Sequence, residues 1–325
     1  MTLDFRILDP LFPADGARAL RDLVHASAPY GLYVKNPIES GIGAGLTRRH
    51  DAALAFLKRQ MARGELEDLE TIGARANLFR GTWWERGETQ GVDCRDVVFA
   101  DALKETAGEL LGAGLVEPYM LYCNLLLPGQ QLAVHHDTPE FLGLDKTNTP
   151  EWFLVVCGQS GLFEQHRVRV CSAVLFVDGD GDLVVYPEGI AKDPSGVPPK
   201  ANTAIVLDAD ELVHGVARVG GPGTPAPPVE IGMELHRIDG GWSLRRGEQV
   251  IRDYADGEVR LSLQWKAWVF ADEADKASKT PLTLERATEV LVAELRRRGA
   301  LTGERPDDTE LAILLMETFI DLPEE

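Results

Sequence analysis

The sequence predicts a mainly β core with flanking helices, an α+β chain whose strands build a sandwich or a barrel of the jelly-roll type, and three observations carry that prediction. Between residues 119 and 216 short apolar runs of strand length follow one another, broken by Gly, Pro and Asp. Toward both ends of the chain apolar residues recur instead at three- and four-residue spacing, the helical period. A late run at 259–270, VRLSLQWKAWVF, alternates as a long strand with one buried face does.

Residues 1–115 read as a mostly helical region that packs on the barrel, with helical patterns at 11–28, 47–64 and 100–111. The polar-aromatic stretch at 76–84 is strand or loop. Strand-sized runs follow at 119–127, 132–136, 152–157, 165–170, 172–177, 182–186, 203–207 and 211–216. Pro128-Gly129, Asp178-Gly179-Asp180-Gly181 and Pro198-Pro199 punctuate them. After an irregular stretch at 220–228 come runs at 230–238, 242–246 and 249–254, with Asp239-Gly240-Gly241 as a hairpin turn signal. Two amphipathic helices are expected at 283–298 and 308–320, with Gly299 and Pro306 as punctuation. The segments are thus 1–115, a 116–270 core, and 271–325, whose helices have the pattern of packing or homodimer elements.

Composition excludes several classes. With 33 basic and 52 acidic residues the net charge is −19, which repels a phosphate backbone and argues against nucleic-acid binding. The longest apolar runs, such as 173–177 and 204–207, are far too short to span a bilayer, and no signal-peptide pattern opens the chain. A soluble, cytoplasmic protein is expected, without a membrane partner. Cys94, Cys123, Cys157 and Cys171 show no close pairing, so neither a CxxC element nor a disulfide framework is predicted. The last three sit in apolar runs and read as small buried hydrophobes.

Chemistry concentrates in Leu132-Ala133-Val134-His135-His136-Asp137. Residues two apart on a strand share a face, so His135 and Asp137 aim inward together while His136 points away. His214 lies downstream, in a second strand-sized run. Two histidines and one carboxylate with open positions make the facial set that suits iron(II). Either element alone is weak: His-x-Asp is often a surface cluster, and a lone histidine is often a satisfied core residue. A third element, Arg260-Leu261-Ser262, strengthens both. An inward-facing arginine is unfavourable unless paired, and a guanidinium grips a small carboxylate bidentately with a neighbouring hydroxyl beside it.

In the order His135-x-Asp137, Asp180-Gly-Asp-Leu-Val-Val-Tyr-Pro187, Asn202-Thr-Ala-Ile-Val-Leu, His214-Gly-Val and Arg260-x-Ser262, the chain resembles the iron(II)- and 2-oxoglutarate-dependent dioxygenases over about residues 119–270. The resemblance implies a double-stranded β-helix, an iron(II) held by His135, Asp137 and His214, and dioxygen and 2-oxoglutarate as co-substrates. It implies further that Arg260 and Ser262 bind the distal carboxylate of 2-oxoglutarate, assisted by Tyr122 or Tyr119 and by Asn124. The implied reaction is hydroxylation of a substrate, with desaturation or ring closure as variants. Asp137 in the carboxylate position argues against halogenation. The arginine follows His214 by more than such enzymes usually allow, so 220–258 is read as an inserted hairpin region, a lid over the barrel mouth among its uses. Arg218 is the fallback partner for the carboxylate.

Arg75, Asn77, Arg80, Trp83 and Trp84 are candidates for the substrate entrance, although the aromatics read first as cover for one sheet. Thr138, Glu140 and Phe141 are placed near the metal by chain connectivity. A small molecule, an amino acid or natural-product intermediate, is the expected substrate, because no peptide- or nucleic-acid-recognition module is visible. Two other readings stand beside this one: a cupin-like metal enzyme that does not use 2-oxoglutarate, and a non-catalytic barrel that binds a ligand or partner.

Overall fold

The computed structural model describes residues 4–33 and 37–320. The chain groups into two units, one from residues 1–34, 67–136 and 170–269, the other from 35–66, 137–169 and 270–325. Among the described residues, no helix is long and apolar enough to cross a membrane.

The first unit is built on antiparallel strands. Its large sheet runs in the order Phe5–Leu8, Thr203–Leu207, Arg167–Asp178, Arg260–Phe270, Leu115–Leu126, Phe79–Glu85, Tyr30–Leu32, Glu234–Ile238, Gly241–Arg246, Gln249–Ala255. A small sheet has the order Ser195–Val197, Leu183–Val185, His214–Val216, Leu132–His135. The 234–255 stretch is therefore a three-stranded meander that joins the large sheet at its far edge, where Leu235 pairs with Tyr30.

Strand periodicity divides the large sheet into two unlike faces. Leu121, Cys123 and Leu125 share one core with Cys171, Ala173 and Leu175, and with Leu261, Leu263 and Trp265. Leu20 and Val24 of the Ala14–Ala26 helix and Leu103 and Ala107 of the Asp101–Leu111 helix cover this face. Trp265 is anchored there by donating from Nε1 to the Val98 carbonyl at 2.8 Å. Residues of the other parity face the small sheet, where Val174 and Phe176 cluster with Leu183 and Val185.

In the second unit the helices Glu151–Ser160, Leu284–Arg297 and Asp308–Phe319 share a core of Trp152, Phe153, Val156, Leu291, Leu295 and Leu315, among others. Residues 152–157, expected as a strand, are thus helix. Their run Trp-Phe-Leu-Val-Val-Cys is apolar without a break and buried all round, so neither a period of 2 nor one of 3.6 shows in the sequence. The stop was legible: Gly161 ends the helix in the left-handed conformation, φ 67°. The runs at 165–170 and 172–177 differ from expectation in another way. After a 3-10 turn at Glu164–His166 they form one continuous strand, Arg167–Asp178.

Candidate metal centre

His135 closes the Leu132–His135 strand and His214 opens the His214–Val216 strand, and the two residues are direct cross-strand partners. Gly215 makes that pairing tight: a Cβ there would lie 2.8 Å from the Leu132 carbonyl oxygen and 3.1 Å from the Val134 Cα. The imidazole centroids are 4.7 Å apart, tilted by 46°. Asp137 follows two residues after His135, and ligand atoms of His135, Asp137 and His214 all lie within 4.8 Å of one another. His136, the first residue past the end of the strand, is exposed.

Each histidine is oriented by the carbonyl two residues before it. His135 Nδ1 is 2.6 Å from the Ala133 oxygen and His214 Nδ1 is 2.9 Å from the Leu212 oxygen. A carbonyl only accepts, so Nδ1 carries the proton in both rings and Nε2 is the nitrogen with a lone pair to give. Two such imidazoles and one carboxylate are a donor set that fits iron(II) with positions left open.

Arg260 opens the central strand of the large sheet and is only 1% exposed. Its Nε donates to the Gly181 carbonyl at 3.0 Å and its Nη1 to Ser262 Oγ at 2.7 Å. The guanidinium carbon sits 5.1 Å from the centroid of the Phe176 ring. Among the described residues its Nη2 has no hydrogen-bond partner. Burial pushes the group down to about 10, opposed by the charges of Asp180 and Asp182, so it is a cation at neutral pH. A buried cation with an unmet donor is costly alone and becomes favourable when a carboxylate arrives. The fallback Arg218 is already engaged, through Nε to Gln131 Oε1 at 3.3 Å and through Nη1 to the Pro222 carbonyl.

Tyr122 and Asn124 stand on the face of the Leu115–Leu126 strand opposite to Leu121, Cys123 and Leu125, and that strand neighbours the one bearing Arg260. Asn124 is 8% exposed and its Oδ1 has no hydrogen-bond partner among the described residues. Tyr119 stacks on Trp268, with centroids 4.6 Å apart and planes within 11°. The sequence reading missed Lys266, which is 2% exposed and donates from Nζ to Ser172 Oγ at 3.1 Å. Lys266 shares the parity of Arg260 and Ser262 on one alternating strand.

The remaining candidates separate cleanly. Arg75 is 3% exposed, ion-paired with Glu67, and donates to the carbonyls of Gly129 at 2.9 Å and Thr224 at 3.3 Å, so it ties two loops together. Asn77 Oδ1 accepts from the Leu78 amide at 3.0 Å. Trp83 and Trp84 lie in the core on the helix-covered face. Arg80, between them and Asn77 in sequence, turns the other way. In the second unit Thr138 is buried and accepts from Arg49 Nη1 at 2.6 Å, and Arg49 also pairs with Asp51 at 3.4 Å and Glu151 at 3.7 Å. Glu140 is buried, and Phe141 is part of that unit's core.

No protein-family model matches the chain, and no curated protein sequence matches it. Solved structures similar to it include an oxidoreductase of the 2OG-Fe(II) oxygenase family from Burkholderia pseudomallei, with a TM-score of 0.42 and 14% identity over 81% of this chain and 84% of that one. A prolyl-4-hydroxylase from Pseudomonas putida has a TM-score of 0.35 and 18% identity over 82% of this chain and 93% of that one. HygX from Streptomyces hygroscopicus, with nickel, 2-oxoglutarate and hygromycin B bound, has a TM-score of 0.39 and 10% identity over 82% of this chain and 84% of that one. At TM-scores of 0.35 to 0.42 and identities of 10 to 18%, function has to be argued from this chain's own residues.

Proposed function

We propose that this protein is an iron(II)- and 2-oxoglutarate-dependent oxygenase on a double-stranded β-helix, acting on a small molecule. The observation that carries the reading is the convergence of His135, Asp137 and His214, whose ligand atoms lie within 4.8 Å of one another. The barrel would consist of four strands of the large sheet, Thr203–Leu207, Arg167–Asp178, Arg260–Phe270 and Leu115–Leu126, facing the four of the small sheet.

His135, Asp137 and His214 would hold iron(II), with both imidazoles pre-turned by their Nδ1 bonds. Arg260 and Ser262 would receive the distal carboxylate of 2-oxoglutarate, with Nη2 as the unmet donor. Tyr122 and Asn124 would line the space between anchor and metal. Bound there, iron(II) and 2-oxoglutarate supply dioxygen activation coupled to decarboxylation of the keto acid to succinate, and the substrate is oxidised by hydroxylation, desaturation or cyclisation. Apolar neighbours of the anchor, Phe176 and Val219 among them, keep water from the buried charge. The buried Arg260 with its unmet Nη2 donor favours this reading over a cupin-like enzyme without 2-oxoglutarate.

The test is anaerobic reconstitution with iron(II), followed by titration with 2-oxoglutarate and observation of the weak visible charge-transfer band of its chelate. The wild type is expected to give the band and Asp137→Ala to lose it with its iron. Arg260→Ala is expected to need roughly tenfold to a hundredfold more 2-oxoglutarate, as for a lost charge-assisted hydrogen bond. Iron binding without any band would move the assignment to the cupin-like enzyme. Absence of iron binding would leave a binding barrel.

A further inference from the structure

A second cation stands on the same face of the large sheet as Arg260, on the strand that flanks Leu115–Leu126. In the strand Phe79–Glu85, Phe79 and Trp83 point into the helix-covered core, and Arg80 projects from the opposite face. Its cross-strand partner is Asn124. The guanidinium carbon lies 3.5 Å from the centroid of the Tyr122 ring and 4.6 Å from that of Tyr33, so two aromatic rings hold its plane. Despite that support Arg80 Nε is buried with no hydrogen-bond partner among the described residues, and so is Asn124 Oδ1 beside it.

The height of this pair along the barrel follows from packing. Leu126 clusters with Leu78 and Val219, and Leu132 packs against that cluster, so the Leu115–Leu126 and Leu132–His135 strands meet near the turn that joins them. From Leu132, His135 is three residues or about 10 Å onward. From Leu126, Asn124 and Tyr122 are two and four residues back, about 7 and 13 Å. Arg80 and Asn124 therefore stand close to the level of His135. The anchor stands nearer the turn: Gly181, whose carbonyl accepts from Arg260, approaches Val219, in the cluster against which Tyr33 also packs, so along the strands Arg80 stands between that end and His135. Arg80 is also two strands from the Arg260 strand, about 10 Å across the sheet.

We infer that Arg80 is an oxyanion subsite for the substrate to be oxidised, a small molecule bearing a carboxylate or a phosphate. The inference rests on the function proposed above. It gives a role to a guanidinium kept on the same face of the sheet as Arg260 with its Nε unpaired among the described residues. A guanidinium held between two rings is pre-organised, so little freedom is lost when it forks onto two oxygens.

The experiment measures binding of benzoate, phenyl phosphate and benzamide by anaerobic calorimetry to the iron(II) and 2-oxoglutarate complex of wild type, Arg80→Met and Arg80→Lys. Wild type is expected to bind at least one anion tenfold or more tightly than neutral benzamide, and the preferred anion identifies carboxylate or phosphate. Arg80→Met is expected to abolish the preference while leaving the 2-oxoglutarate band unchanged. Arg80→Lys keeps charge without the planar fork and should retain only a fraction of the preference; it carries the test if Arg80→Met does not fold. Equal binding of all three probes, no binding of any, or a preference that survives both substitutions would overturn the inference. So would loss of the 2-oxoglutarate band in Arg80→Met, which would make Arg80 part of the co-substrate site. If even the wild type gives no band, the proposed function fails, and the three probes still decide whether Arg80 selects anions.

Discussion

Burial pushes the Cys94 thiol up to about 11 and the Cys123 thiol up to about 12, and it raises Cys157 as well. An unfolded thiol ionises near about 8.5, so above that pH the unfolded chain releases protons that the folded chain keeps. Stability is therefore undiminished below about pH 8.5 and falls as pH rises toward the folded values. For Cys123 alone the loss by pH 10 is about 2 kcal/mol. Urea midpoints measured from pH 7 to pH 10.5 should stay level and then decline; a level profile throughout would contradict this account. Other single residues were legible in the sequence to different degrees. Arg260 could be placed because parity on a strand assigns a face without knowledge of the partner strand, whereas Asp137 lies two residues past the end of the Leu132–His135 strand and was marked by its spacing from His135 alone. Lys266 and Arg80 obey the same parity, yet a single lysine or arginine in an alternating run reads equally as a solvated edge. Only the neighbours, Ser172 for one and two tyrosine rings for the other, decide the matter.

At the level of the element, the candidate metal centre depends on how closely two short strands approach. Gly215 has its backbone against Leu132 and Val134, with no room for a methyl group unless one strand moves. Gly215→Ala is expected to push the His214 strand away from His135 and to weaken iron(II) binding roughly tenfold or more, while far-UV circular dichroism stays unchanged. Iron affinity equal to wild type would show that the strand pair yields without harm. The Leu132–His135 strand, which ends on a candidate ligand, was easy to recognise because Pro128-Gly129 precedes it. The helix at Glu151–Ser160 was not, since a uniformly apolar run carries no period and only tertiary packing selects its conformation. The 234–255 meander was foreseen as paired strands, but its attachment to Tyr30 is a long-range choice that local pattern does not encode.

Across the whole molecule the charge distribution sets exterior against interior. A net charge of −19 opposes the approach of a dicarboxylate, whereas the inner face offers cations to it once inside. Repulsion between exposed charges is screened by salt, with a Debye length of about 30 Å at 0.01 M and about 8 Å at 0.15 M. The association rate of 2-oxoglutarate should consequently rise several-fold over that range in anaerobic stopped-flow measurements; a fall would mean that steering by the interior cations reaches into solvent. Strand order has a consequence of another kind. The small sheet is complete once residue 216 has been made, but the strand Arg260–Phe270 belongs in the middle of the large sheet, between Arg167–Asp178 and Leu115–Leu126. A chain emerging from the ribosome thus spends the synthesis of more than forty residues with a vacant slot at the centre of its sheet and two unpaired edges bordering it. The residues proposed to hold the metal are all present in that interval, and the residue proposed to anchor the co-substrate arrives with the strand that closes the gap.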